Sequence, residues 1–191
     1  MLLVFATNNR NKFNEIRDLL GGDFKLLSLD DIGCPDEIPE IHTTLEANAS
    51  GKAWYIFQRY GYNAFADDTG LEIDALNGEP GVYSARYAGN TKNSEKNMNK
   101  VLRKLHGITN RKAQFRTVIS LVQEGKEIIF EGIVKGTILN TKRGKSGFGY
   151  DPIFLPEGSD KTFAEMNLSE KNRISHRAVA FRKLIEYLTE K

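Results

Sequence analysis

The chain has 191 residues, 40% of them hydrophobic and 27% charged, and 27 basic against 25 acidic side chains leave a net charge of +2. This composition is that of a globular protein, and the length suits one domain or two lobes that share a core. The balance of charge argues against a general nucleic-acid coat, and no stretch approaches the roughly 20 apolar residues that a membrane span needs.

The chain start and its cysteine content indicate the compartment. The single cysteine, Cys34, cannot form a disulfide within the chain, which favours a reducing, cytoplasmic environment. The start MLLVFATNNRNK has an apolar run of six residues with no basic segment before it, so we interpret it as a first strand and not as a signal peptide. We expect a single domain over residues 1–191.

The first third of the chain alternates between strand and helix patterns. Residues 2–6 form an unbroken apolar run that predicts a buried strand, and helical spacing follows from Asn11 until Gly21 and Gly22. Residues 24–29 predict a second strand, and residues 44–60 predict a second helix after a proline-containing loop. A third strand over residues 63–66 is expected to end at two adjacent acids. The order β-α-β-α-β favours an α/β architecture.

The remaining elements differ in type. The stretch NSEKNMNKVLRKLHG predicts a helix capped by Asn93 or Ser94, and two β-branched stretches around QEGK predict a long antiparallel hairpin. RGKSGFGYDPIFLPEG is rich in glycine and proline and is interpreted as a shaped loop. The last helix is expected to begin after Ser175. Together these elements predict two interdigitated lobes with a cleft between them.

The junction ATNNRNK combines features that favour an anion such as phosphate. Thr7, Asn8 and Asn11 offer short polar side chains, and Lys12 adds a cation one turn into the helix. A helix start also presents unpaired backbone N–H groups and the positive end of its dipole. The alternative is a capped helix with a solvated lysine.

The stretch FADDTGLEID places Asp67 and Asp68 side by side, although neighbouring like charges repel. Successive side chains on a strand point to opposite sides, so the two acids need not share one task. A divalent cation would offset the repulsion and keep both acids ionised. The alternative is a turn in which an aspartate accepts backbone N–H bonds and Gly70 supplies a positive φ.

Glu40 and Lys52 extend this group of charges. Lys52 lies four residues after Asn48 and shares a helix face with it, while Glu40 precedes the same helix. Oxygen ligands together with a lysine near phosphate oxygens suit Mg²⁺-assisted phosphoryl chemistry. A surface glutamate and a surface lysine are the alternative.

The stretch SGFGYDP has the composition of a nucleobase-binding loop. Gly147 and Gly149 would let the backbone approach a ligand, Phe148 and Tyr150 would present rings, and Asp151 is a hydrogen-bond acceptor. The alternative is a loop whose aromatic residues pack inward.

The stretch EKNRISHRA places cations at a helix start. His176 and Arg177 follow Ser175, and Lys171 and Arg173 are close by in sequence. Positive charge is unfavourable at that end of a helix unless an anion or a carbonyl lies there. The alternative is a charged helix start in solvent.

Four of these stretches, ATNNRNK, ADDTGLEIDALNGEPGVYSARYAG, SGFGYDPIF and KNRISHRA, resemble the Ham1/RdgB/ITPase family, in order and over nearly the whole chain. The resemblance implies an elongated α/β fold, with a mixed sheet flanked by helices and a cleft between two lobes. It also implies a homodimer that hydrolyses ITP, dITP and XTP to monophosphate and pyrophosphate, clearing aberrant purine nucleotides with Mg²⁺ as cofactor.

The resemblance assigns roles residue by residue. Asp68 is implied as proton acceptor and, with Glu40, as metal ligand, and Lys52 as a catalytic lysine. Asn8 stands where glycine or serine is commoner, and Glu40 is followed by Ile-His where Thr-Gly is usual. Substrate contacts are implied for Thr7, Asn8, Lys12, Thr69, Phe148, Gly149, Tyr150, Asp151, Lys171, His176 and Arg177.

The resulting hypothesis is that water attacks the α-phosphorus of a purine nucleoside triphosphate, with no nucleic-acid or membrane partner. Two alternatives remain open. One is a nucleotide-binding module without turnover, and the other is a nucleic-acid-binding protein that uses Lys142, Arg143 and Lys145.

Overall fold

The computed structural model describes residues 2–20, 25–35 and 38–190. The chain divides into two compact units, each assembled from separate segments. The first unit comprises residues 1–68, 117–132 and 177–191, and the second comprises residues 69–116 and 133–176. Within the described ranges, every helix is too short or too polar to cross a lipid bilayer.

The described residues contain seven strands in one mixed sheet, in the order β2-β1-β3-β5-β6-β7, with β4 paired to β3. The α/β class and the mixed sheet with flanking helices are as predicted. The strands are β1 (Leu2–Phe5), β2 (Lys25–Leu27), β3 (Ala64–Ile73), β4 (Pro80–Gly81), β5 (Lys112–Gln123), β6 (Lys126–Ile138) and β7 (Phe154–Pro156).

The helices begin where short polar side chains cap them. Thr44 Oγ1 accepts the Ala47 N–H at 3.2 Å, and Asn93 Oδ1 accepts the Lys96 N–H at 2.9 Å, so Asn93 is the cap of its helix. Asn167 and Glu170 form a reciprocal capping box. The described helices are α1 (Arg10–Leu20), α2 (Leu45–Tyr60), α3 (Ser94–Lys104), α4 (Leu168–Ile174) and α5 (His176–Thr189).

The core of the first unit forms on both faces of β1 and β3. These strands are parallel, with Phe5 level with Phe65, and their rings stack at 4.6 Å between centroids. Phe181 of α5 packs on this pair, while Val4 and its neighbours on the opposite face belong to the cluster that includes Ile56 of α2. Because the two parallel strands are in register, the segment after Phe5 and the acids after Phe65 lie at the same level of the sheet.

The core of the second unit gathers apolar residues from β3, β5, β7 and α3, with Phe115 and Phe154 in edge-to-face contact at 4.6 Å. Here β3 pairs antiparallel with β4, with Leu71 opposite Gly81. A Cβ at Gly70 would lie 2.8 Å from the Gly81 carbonyl oxygen, so this pairing requires a glycine there.

Two secondary-structure predictions are wrong. β3 does not end at the acids but continues to Ile73, because Leu71 and Glu72 pair with β4 beyond Gly70. The loop predicted over RGKSGFGYDPIFLPEG contains β7, which pairs with the end of β6. The last helix, α5, begins at His176, directly after Ser175, as predicted. A short helix that was not predicted, α4, precedes it, and Ser175 is the C-cap of α4. The expected helix end at Gly21 and Gly22 and the start of the second strand at Phe24 lie outside the described residues.

The predicted hairpin is present and its turn chemistry explains it. β5 and β6 are neighbours in the sheet and are joined by Glu124 and Gly125, whose φ values are 52° and 76°. Positive φ at both central residues is the geometry that matches the twist of a tight hairpin.

Candidate active site

The start of α1 uses its own side chains to satisfy its backbone. Asn9 Oδ1 accepts the N–H groups of Asn11 and Lys12 at 3.0 and 3.2 Å, and Thr7 Oγ1 accepts the N–H of Asn9 at 3.2 Å. These backbone donors are therefore engaged within the chain. The expectation that unpaired N–H groups at this helix start attract an anion is not supported by these three donors.

Asp67 is the buried partner of two cations in the first unit. Its Oδ2 lies 2.9 Å from Lys12 Nζ and 3.7 Å from Arg177 Nε, and the residue is 1% exposed. Burial by itself raises the pKa of Asp67, but Lys12, Arg177 and Lys52 outweigh it and lower the pKa to about 2. Asp67 is thus an anion at neutral pH, and it holds Lys12.

Lys52 is a buried cation between two acidic segments. Its Nζ donates to Glu40 Oε1 at 2.6 Å and to the carbonyl oxygen of Asp67 at 2.7 Å. Burial lowers the pKa of Lys52, but Glu40, Asp68 and Asp67 raise it above its usual value. The same contact with Lys52 overcomes the effect of burial on Glu40 and lowers the pKa of that carboxyl. The raised pKa keeps Lys52 positively charged at neutral pH.

Asp68 lies in a different environment from its neighbour. It is 6% exposed, and its Oδ2 accepts a hydrogen bond from Asn48 Nδ2 at 3.0 Å. Burial raises the pKa of Asp68; Lys52 and Lys12 lower it and Glu40 raises it further, so that the net shift is upward. A carboxylate with a raised pKa is the better proton acceptor. The expectation that the two acids serve different tasks agrees with their separate partners.

The carboxylates of Glu40, Asp67 and Asp68 differ in how well they suit Mg²⁺. Among residues 2–20, 25–35 and 38–190, no group of three or more His, Cys, Asp or Glu side chains could hold a metal ion. Mg²⁺ commonly takes only one or two carboxylates and completes its shell with water and substrate phosphates. Glu40 and Asp68, whose charges interact, fit that role. Asp67 fits it poorly because Lys12 and Arg177 already compensate its charge.

A second cluster of candidate residues lies in the second unit around Asp151. Its Oδ2 accepts from Lys171 Nζ at 2.8 Å and from the Phe148 N–H at 2.9 Å. Lys171 Nζ lies 4.7 Å from the centre of the Phe148 ring. A Cβ at Gly147 would lie 2.1 Å from Asp151 Oδ2, so this glycine makes room for the carboxylate rather than for a ligand. The cluster holds the Phe148 ring in a defined place.

Three further candidate residues, Tyr150, Gly149 and Thr69, lie close to Phe148 or Asp68 in the sequence. Tyr150 does not present its ring: it is 4% exposed, packs in the core of the second unit and donates its hydroxyl to the Ser84 carbonyl at 2.8 Å. The inward-packing alternative holds for this residue. Gly149 has a φ of 65° in the adjacent turn, and Thr69 is half-buried on β3 next to Asp68.

The alternative that the charged start of α5 lies in solvent is wrong, because His176 and Arg177 are both buried. His176 is 3% exposed and stacks on Phe115, with 4.5 Å between ring centroids. Arg177 is 2% exposed and faces Asp67. The two side chains take part in different clusters, His176 in the second unit and Arg177 in the first.

Sequence reasoning missed two asparagines. Asn9, not Thr7 or Asn8, caps α1, and its position before an apolar helical pattern could have identified it. Asn48 was noted only for sharing a helix face with Lys52, and its hydrogen bond to Asp68 depends on a residue 20 positions away.

Comparisons with known proteins agree over the full chain. A family model described as the Ham1 family matches residues 3–187. A dITP/XTP pyrophosphatase of Flavobacterium johnsoniae is 59% identical over 189 residues, which is 99% of this chain and 98% of the relative. A solved Ham1 protein of Staphylococcus aureus superposes with a TM-score of 0.92 at 40% identity, and one of Coxiella burnetii with 0.93 at 38%, each covering 100% of both chains.

Proposed function

Because this chain belongs to the Ham1 family, as its motifs predicted, we propose that it is a Mg²⁺-dependent nucleoside-triphosphate pyrophosphatase whose domain spans residues 1–191. The relatives named dITP/XTP pyrophosphatase support hydrolysis as the activity and dITP and XTP as substrates. We include ITP in the proposal because it carries the same base as dITP. One observation carries the proposal: a buried carboxylate, Asp68, is held by Asn48 and interacts with Lys12 and Lys52, two cations that are held in place by their own acidic partners.

The cations of the first unit would bind the triphosphate. Lys12 keeps 13% of its side chain exposed while Asp67 holds its ammonium group, and Lys52 is held by Glu40. Thr7 and Asn8 add short polar side chains at the same loop. Charges held in place before the substrate arrives stabilise a phosphoryl-transfer transition state without reorganising during the reaction.

Asp68 would act on the attacking water. The water oxygen forms a bond to the α-phosphorus as the bond from that phosphorus to the bridging oxygen breaks, and pyrophosphate leaves with the electron pair. Asp68 accepts the proton that the water loses. The products are a nucleoside monophosphate and pyrophosphate.

Asp68 and Glu40 would hold Mg²⁺ through their carboxylate oxygens. When bound, this ion would neutralise charge on the phosphate oxygens. Lys52 keeps Glu40 ionised by lowering its pKa, which leaves the carboxylate ready for a cation at neutral pH.

We propose that the loop that carries Phe148 contacts the base. The Phe148 ring offers a face for stacking, and Asp151 and Lys171 hold the loop that carries it. A donor from Arg177 or from a backbone N–H of this loop would favour a 6-oxo over a 6-amino purine, because adenine would leave that donor unpaired. Further substrate contacts are proposed for Thr69, Gly149 and His176. The ring of Tyr150 is buried in the core, so we do not propose that it contacts the substrate.

The test is a pyrophosphate-release panel with ITP, dITP, XTP, GTP and ATP, each with and without Mg²⁺. We expect release with the first three, kcat/KM for ATP lower by at least tenfold, and loss of activity in EDTA that Mg²⁺ restores. Equal values for all purines would end the selectivity claim. Tight nucleotide binding without release would favour the binding module instead.

The cellular setting follows from the same proposal. A cytoplasmic homodimer that removes ITP, dITP and XTP would keep these nucleotides out of nucleic-acid synthesis. Sedimentation of the purified chain tests the dimer, and a monomer at micromolar concentration would contradict it.

A further inference from the structure

Asn48 on α2 has every polar part of its side chain engaged. The residue is 1% exposed, its Oδ1 accepts the His42 N–H at 3.0 Å, and its Nδ2 donates to Asp68 Oδ2 at 3.0 Å. Nδ2 also lies 3.5 Å from the His42 carbonyl oxygen. A side-chain amide is one of the few groups that can donate to a carboxylate and accept from a backbone N–H at the same time.

Lys52, one turn further along α2, joins the same two segments by different atoms. Asn48 contacts the backbone of His42 and the side chain of Asp68. Lys52 contacts the side chain of Glu40 and the backbone of Asp67. The segment that carries Glu40 and the strand that carries Asp68 are therefore each fastened twice to one face of α2.

We propose that Asn48 is a positioning residue that sets the placement of Asp68 relative to Glu40. This inference rests on the proposed function, in which Asp68 and Glu40 are the two Mg²⁺ ligands. Mg²⁺ demands near-ideal octahedral geometry, so the carboxylates that bind it must be held in place. Partners behind metal ligands typically change metal affinity by about 10- to 100-fold when they are removed.

A purely structural role for Asn48 is the alternative, and the chain contains a matched control for it. Asn97 on α3 is also a buried helical asparagine, 3% exposed. Its Oδ1 accepts the Ala88 N–H at 2.7 Å, and its Nδ2 donates to the carbonyls of Ala85 and Ser84 at 2.9 and 3.3 Å. These three partners of Asn97 are all backbone atoms, so Asn97→Ala removes a buried amide that holds a loop without disturbing a carboxylate.

The experiment measures binding of Mn²⁺, a spectroscopic substitute for Mg²⁺, by electron paramagnetic resonance. Wild type, Asn48→Ala and Asn97→Ala are titrated with Mn²⁺ alone and with Mn²⁺ plus the non-hydrolysable α,β-imido analogue of ITP. Thermal unfolding is recorded for each. We expect both variants to lose thermal stability, but only Asn48→Ala to weaken Mn²⁺ binding, by about tenfold or more.

The result that overturns the proposal is Mn²⁺ binding by Asn48→Ala within twofold of wild type, or an equal weakening by Asn97→Ala. If Asn48→Ala does not fold, Asn48→Ser keeps a hydroxyl but shortens the reach, and the same comparison applies. Pyrophosphate release by the wild type is measured separately. A wild type that binds Mn²⁺ but releases no pyrophosphate would contradict the proposed function alone, and one that binds no Mn²⁺ would overturn this inference.

Discussion

Two adjacent acids on one strand acquire opposite pKa shifts from their surroundings. Strand alternation sends the Asp67 carboxylate to Lys12 and Arg177, whose charges lower its pKa. It sends Asp68 to Asn48, where burial raises the pKa. A pair of acids whose pKa values are pushed apart can divide the work of holding a cation and moving a proton.

At Asp68, removal of the carboxylate should abolish most turnover. We expect Asp68→Asn to lower kcat by at least about 100-fold at saturating Mg²⁺, because the attacking water loses its proton acceptor. Asp74→Asn, at an exposed acid just beyond β3, is the control and should leave kcat unchanged. Near-wild-type turnover by Asp68→Asn would rule out the assigned role.

Asp67 should make stability depend on pH in the acid range. Its folded-state pKa of about 2 lies below that of the unfolded chain, so the folded state binds fewer protons. Its contribution, roughly 2 kcal/mol, is fully present above about pH 4 and is lost as the pH falls towards 2. Urea unfolding should show Asp67→Asn less stable than wild type at pH 7, with the difference shrinking below pH 4. A difference that stays constant on acidification contradicts this.

At the scale of elements, α2 connects the core of the first unit to the candidate site. Ala49, Ala53 and Ile56 are fully buried on its apolar face, while Asn48 and Lys52 face the acidic segments. Thr44 caps its start, and Gly61, with φ of 74°, ends it. The same helix therefore anchors in the core and holds the charged groups.

Loss of the α2 cap should destabilise the protein. Thr44→Ala removes the acceptor of the Ala47 N–H, which should lower the free energy of unfolding by about 1 kcal/mol. The exposed loop residue Thr141 provides the control, since Thr141→Ala removes the same atoms outside any helix. Chemical denaturation measures both, and equal effects of the two changes would argue against the cap.

The β3–β4 pair should be intolerant of a side chain at Gly70. A Cβ there would lie 2.8 Å from the oxygen and 2.9 Å from the carbonyl carbon of Gly81, so backbone must move. We expect Gly70→Ala to destabilise the protein by about 1–3 kcal/mol. Gly51→Ala, inside α2 with only the His42 side chain near, should be neutral or stabilising. Calorimetry that ranks the two variants the other way would contradict this.

At the scale of the whole molecule, charges are balanced and many are paired. The net charge is +2, and two of the three cations that suggested a nucleic-acid site already contact acids. Lys142 pairs with Glu95, and Arg143 Nη2 lies 2.8 Å from Glu165 Oε2. Phosphate contacts would have to compete with these pairs, which disfavours the nucleic-acid alternative.

Binding to duplex DNA should therefore be weak. Fluorescence anisotropy at 150 mM salt is expected to show no saturable binding below about 10 µM, in the range of non-specific contacts. A steep decrease of affinity with salt, lost on Lys142→Ala and Lys145→Ala, would support the nucleic-acid alternative instead.

Local sequence by itself determined most of the elements. The caps Thr44 and Asn93, the turn at Glu124 and Gly125 and the apolar spacing of α2 act over a few residues, so periodicity and turn chemistry predict them. The motifs likewise identified the Ham1 family, because both the motifs and their order along the chain are properties of the sequence.

Tertiary structure alone decided the electrostatics of the candidate site and the extent of β3. Asp67 meets Lys12, and Asp68 meets Asn48, across separations that no local window spans. The burial of Tyr150 and the pairing that carries β3 past Gly70 also depend on distant segments. A pKa depends on which charges surround a group and how deeply it is buried, and both exist only once the chain has folded.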